Sequence, residues 1–136
     1  MSYGISISVD QPFDQVVPAV RAALTNQGFG ILTEIDMAAT MKAKLDVDIA
    51  PQIILGACNP TLAHRALQAE QSIGLLLPCN VVVRSAGQAQ TTVEALDPTV
   101  MVAVTGNDRL QVIADDAAAR LGAALASVGA APTSRS

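Results

Sequence analysis

Along residues 3–9, Tyr3, Ile5, Ile7 and Val9 alternate with Gly4, Ser6 and Ser8, the period-2 pattern of a strand with one buried face. The period then changes. Phe13, Val16, Val17, Val20 and Leu24 fall on one helical face, with Asp10 as the cap and Gly28 placed to end the helix in a left-handed turn. Pro18 lies inside that span and predicts a kink or a late start, because proline has no N–H to give the helix. Alternation returns at Ile31, Thr33 and Ile35, a second strand expected to pair with the first as a hairpin-like neighbour. Residues 40–45 predict a short helix with Met41 and Leu45 inward and Lys42 and Lys44 outward.

Residues 52–57 are an apolar run of strand length. Asn59-Pro60 then supplies a helix start, asparagine as cap and proline at the first helical position. Leu62, Ala63, Ala66, Leu67 and Ala69 form its apolar stripe, and His64, Arg65 and Gln68 its polar side. Residues 75–84 predict a strand bent or bulged near Pro78. A turn at 85–88 leads into a strand over 90–96, which Asp97-Pro98 ends. Residues 100–104 fit either a strand or a helical turn. Leu110, Ile113, Ala117, Leu121, Ala124 and Val128 recur at helical spacing after Asp108, which with Gln111 resembles a capping box. The expectation is one α+β domain over residues 1–130, a mostly antiparallel sheet with helices on one face, and a disordered tail over 131–136.

Composition narrows the function. With 136 residues there is room for one core. Aromatics are only 2% of a chain that is 51% hydrophobic, so small branched side chains must fill that core. A net charge of −4 and the absence of tryptophan argue against nucleic acid, which is held through Lys and Arg on phosphates. They also argue against an anionic membrane surface. No apolar run approaches the roughly 20 residues of a membrane span, and residues 1–4 lack the basic and apolar regions of a signal peptide. A cytoplasmic setting follows as the expectation, where thiols stay reduced.

Candidate chemistry concentrates in two echoed segments. Both cysteines are followed by asparagine and flanked by proline, as Cys58-Asn59-Pro60 and Pro78-Cys79-Asn80, with the sole histidine, His64, between them. Cys58 precedes a helix N-terminus, where backbone N–H groups favour a thiolate; equally, cysteine often packs as a small hydrophobe. A helix running from 60 to 77 would hold the thiols ~25 Å apart. A helix ending near Glu70, followed by ~20 Å of extended chain, would bring Cys79 back beside Cys58. The candidate ligand-binding set is Cys58, Asn59, His64, Cys79 and Asn80. Cys58, His64 and Cys79 are the candidate soft-metal ligands, a set that zinc or copper accepts but too few to close a four-coordinate structural site. Cys58 is also the candidate nucleophile of a thiol enzyme. The cofactor is left undetermined, and neither a phosphate-binding loop nor a dinucleotide fingerprint is present.

Leu-Gly-Ala-Cys-Asn-Pro at 55–60 and Leu-Leu-Pro-Cys-Asn at 76–80, in this order and spacing, resemble the bacterial and archaeal family called domain of unknown function 302. The likeness extends from about residue 3 to residue 129. It implies a small α/β domain laid out like TATA-binding-protein-like folds, often a homodimer, and no established activity. Three function classes are therefore expected to compete. The leading one is a non-enzymatic module binding a small ligand or soft metal around the Cys-Asn motifs. The others are a thiol-dependent redox or sulfur-transfer enzyme using Cys58, and a homodimeric structural protein without site chemistry.

Overall fold

The computed structural model describes residues 3–129. Five strands, β1 (Gly4–Val9), β2 (Gly30–Asp36), β3 (Gln52–Cys58), β4 (Cys79–Gly87) and β5 (Gln90–Leu96), form one antiparallel sheet in the order β1-β5-β4-β3-β2. The helices are α1 (Phe13–Asn26), α2 (Met37–Leu45), α3 (Pro60–Ala69), α4 (Val100–Thr105) and α5 (Gln111–Gly129). The α+β class is as expected. The pairing expected of the first two strands is not: β1 and β2 lie on opposite edges, β1 on β5 and β2 on β3. Alternation tells which residues face the core; it carries no information about the neighbouring strand.

Strand parity divides the sheet into two faces. Val9, Leu55, Ala57, Cys79, Val81, Val83, Val93 and Ala95 are buried under α1 and α5, together with Val16, Val20, Leu24, Leu121, Leu125 and Val128. Leu62, Ala66, Ile73, Met101, Leu110, Ile113 and Ala117 form a second cluster between α3, α4 and α5. α5 is the beam common to both, burying Leu121 and Leu125 in the first and Ile113 and Ala117 in the second.

Several local expectations need correction. α1 runs through Pro18, and Pro12 stands at its N-cap without a side-chain bond. Asp10, expected to cap it, instead accepts from Gln90 Nε2 at 3.0 Å. Gly28 does hold the expected left-handed conformation, with φ +86°. α2 starts earlier than expected, capped by Asp36 at the Ala39 N–H. It buries no residue, and Leu45 is 65% exposed. Lys42 pairs with Asp46 and Asp48, so its charge is answered within the chain. Leu67, placed on the buried stripe of α3, is exposed. Residues 71–76 turn as a 3₁₀ helix, so β4 begins after Pro78 and is not bent around it. The turn after β4 is tighter than expected, since Gly87 pairs with Gln90. Residues 100–105 are helical. Asn107, not Asp108, caps the approach to α5: its Oδ1 accepts from the Arg109 N–H while its Nδ2 donates to the Ala69 carbonyl and to Glu70 Oε1. Gln111 donates to Asp115 and takes no part in a capping box. The tail expected over 131–136 lies outside the described residues.

Candidate functional site

Cys58 ends β3 and Cys79 starts β4, and the antiparallel register sets Cys79 opposite Ala57. The helix after Cys58 stops at Ala69, and the chain returns through the 3₁₀ turn and Pro78. Gly56 lets this return run close to the sheet. A Cβ at that position would lie 2.1 Å from Thr33 Oγ1 and 2.7 Å from Pro78 Cγ. Only a residue without a side chain lets Pro78 pack there, one residue before Cys79.

Both cysteines line one narrow cavity of about 30 Å³, together with Phe29, Ala57, Asn59, Leu62, Ala63, Ala66, Leu77, Met101, Ile113 and Ala117. Its walls come from both apolar clusters, so it sits at the seam where they meet. Cys79 is buried and Cys58 half-buried, and both are free thiols. Burial pushes the Cys79 thiol up to about 11, and the nearby Cys58 adds to the rise. That coupling and the shared cavity place the two thiols together, as the shorter-helix geometry requires.

The remaining expected site residues separate. Asn59 lines the cavity, but its Oδ1 is engaged at 3.2 Å by the Leu62 N–H as the cap of α3. His64 is exposed on the outer side of α3 and does not line the cavity. Asn80 is exposed and lines a different feature, a groove of about 760 Å³ on the opposite sheet face with Tyr3, Gly4, Ser6, Val82, Glu94, Ala95 and Leu96. The reason is strand parity: neighbours along β4 point to opposite faces, so Cys79 and Asn80 cannot serve one pocket. Cys58 and Asn59 escape this rule because the strand ends between them. Among the described residues no three His, Cys, Asp or Glu side chains gather as a metal site, so His64 does not join the thiols. The residue that sequence reasoning missed is Met101, 3% exposed and on the cavity wall. Its signal was faint, a methionine in the short apolar run 100–104.

Chemically, the cavity offers two thiols and a thioether among hydrocarbon. The described residues that line it include no histidine, lysine or carboxylate to serve as a base. Its volume is far below the roughly 300–1,000 Å³ of an organic-ligand pocket.

No helix of the described residues is long and apolar enough to cross a membrane. A comparison with curated proteins returned no match. Among solved structures, the chain is similar to an uncharacterized conserved protein DUF302 from Bacillus stearothermophilus. The two share 28% identity at a TM-score of 0.84, over 93% of this chain and 98% of that one. The family described as "Domain of unknown function DUF302" matches residues 5–128. Nearly the whole described domain is thus accounted for by one family, and the chain belongs to DUF302.

Proposed function

We propose that the chain is a binding module for a single soft metal ion held at the Cys58–Cys79 thiol pair. The observation that carries this is the meeting of both cysteines on one cavity whose volume suits an atom-sized guest. Thiolate sulfur binds polarisable ions in preference to hard ones. The N-terminus of α3 directly follows Cys58, and its partial positive charge favours the negative charge of a bound thiolate. The alternative of a thiol enzyme using Cys58 has less support, since no histidine, lysine or carboxylate among the described residues lines the cavity to activate the thiol. Native mass spectrometry after anaerobic incubation with copper(I), silver(I) or mercury(II) tests the proposal. One ion per chain is expected, lost in Cys58→Ala and in Cys79→Ala. Retention of none of the three by the unaltered protein would overturn it.

The partner is a separate reading, favoured by the opposite face. We infer a homodimer formed over the groove of β1, β5 and β4, whose described lining is strand residues and Tyr3. Tyr3 is 73% exposed, and Val82 and Leu96 are half-buried there. Apolar surface of this kind suits a two-fold interface in which each copy covers the other's groove. Sedimentation at micromolar concentration is expected to give twice the 14.0 kDa chain mass, and Val82→Glu to return the monomer. A monomer for the unaltered chain ends this reading.

A further inference from the structure

The soft-ion reading leaves open which ion, and the cavity wall bears on that choice. Among the described residues, three that bear sulfur line it, Cys58, Cys79 and Met101, drawn from β3, β4 and α4. They come from separate stretches of chain, and each is positioned by a different piece of backbone. Cys58 stands at the end of β3, where the chain turns into the capped start of α3. Cys79 is fixed by its register with Ala57 and by Pro78 packed on Gly56. Met101 is 3% exposed, on a short helix whose own end is tied by the Thr105 hydroxyl donating to the Met101 carbonyl at 2.7 Å.

Resting on the thiol-pair reading, we propose that Met101 is the third ligand of a three-sulfur copper(I) site, selective for copper(I) over zinc(II). The donor set decides the metal. Two thiolates and a thioether are the soft ligands that select copper(I). Structural zinc takes four ligands, usually cysteine or histidine, in a tetrahedron. Here the only histidine of the chain is exposed elsewhere on α3, and no carboxylate among the described residues lines the cavity. Methionine adds to this because its thioether is never protonated and carries no charge to desolvate. It can therefore wait in an apolar wall at little cost, where a third thiolate could not. The long, unbranched side chain also adjusts its reach when the guest enters.

The test uses the full chain, reduced and kept under nitrogen, in competition with a chromophoric copper(I) chelator such as bicinchoninate. Zinc(II) with a zinc indicator serves as the comparison. Wild type is expected to take one copper(I) per chain from the chelator and to hold zinc(II) at least a hundredfold more weakly. Met101→Leu, a swap of similar volume, is expected to keep one copper(I) per chain but to weaken it at least tenfold. X-ray absorption at the copper edge of the wild type supplies a readout independent of how the variant folds, with a sulfur-only shell of three scatterers expected. Two sulfurs in that shell, or unchanged affinity in Met101→Leu, would overturn the methionine ligand while leaving the thiol pair standing. Zinc bound as tightly as copper would overturn the selectivity. Failure of the wild type to hold any soft ion would remove the thiol-pair reading and this inference with it.

Discussion

The two faces of the sheet carry opposite combinations of space and chemistry. The helix-covered face holds a cavity of about 30 Å³ walled by two thiols and a thioether. The other face holds an open groove of about 760 Å³ lined by Ser6, Asn80, Glu94 and apolar side chains. Size alone directs attention to the groove, and reactivity alone to the cavity. The chain sorts them with one device, the alternation of side chains along β4, which sends Cys79 inward and Asn80 outward. A site on this fold therefore has to be identified by face before it is identified by motif.

The contrast can be broken most forcefully from the covered side. Leu121 is wholly buried against the inner face, and Leu121→Ala is expected to cost about 2–5 kcal/mol in denaturant unfolding. A loss under half a kilocalorie would mean that α5 is not the beam of the fold. The next effect is electrostatic. The Cys79 thiol is raised to about 11 from an ordinary 9.0, so the folded state holds its proton longer than the unfolded chain does. Its contribution is complete below about pH 9 and disappears as pH climbs through about 11, a loss on the order of 2–3 kcal/mol. Urea titrations from pH 8 to 11 should show this slope in wild type and a shallower one in Cys79→Ala; identical slopes would contradict it. In alkylation at pH 8, half-buried Cys58 should react before Cys79, read by mass spectrometry of each peptide.

Gly56→Ala is expected to destabilise by about 1–3 kcal/mol, because its methyl must displace Thr33 and Pro78. Since Pro78 adjoins Cys79, that variant should also speed alkylation of the buried thiol. Unchanged melting and unchanged thiol reactivity would show that the close approach is not needed. The smallest effects separate the two asparagines. Asn59→Ala removes a helix cap and should cost about 1 kcal/mol. Asn80→Ala, on the open face, should stay within about 0.5 kcal/mol in the monomer. Equal losses at both positions would undo the claim that the echoed motif has been split.

The parts legible in the sequence are those governed by short-range rules. The alternation of β1, the long stripe of α5 and the Asn59-Pro60 start of α3 each follow from a period or a cap, and each is present. The meeting of Cys58 and Cys79 was legible too, once chain lengths were compared. Placement depending on distant partners was not. Nothing in Ile31, Thr33 and Ile35 says that β2 belongs beyond β3. Leu45 and Leu67 look like core residues by type and spacing, yet both are exposed. Asn107 joins the end of α3 to the approach to α5 across 38 residues of sequence, a contact that local spacing does not reveal. Met101 escaped for the same reason, since its importance lies wholly in what α4 is packed against.

One feature of the sheet bears on how the protein behaves in bulk solution. β1 is an edge strand reading Gly-Ile-Ser-Ile-Ser-Val, without charge, proline or a register shift against β5. The opposite edge, β2, has a register shift between Ile31 and Thr33 and carries Glu34 and Asp36. Natural sheets use bulges and charges of that kind to discourage strands from adding to an edge. On the β1 side the discouragement must come from elsewhere, and the net charge of −4 supplies a long-range repulsion. That repulsion vanishes near the isoelectric point of about 4.6 and is screened by salt. Colloidal stability should therefore be poorest in mildly acidic, salty buffer, where the β1 edge is the first place for clustering to begin.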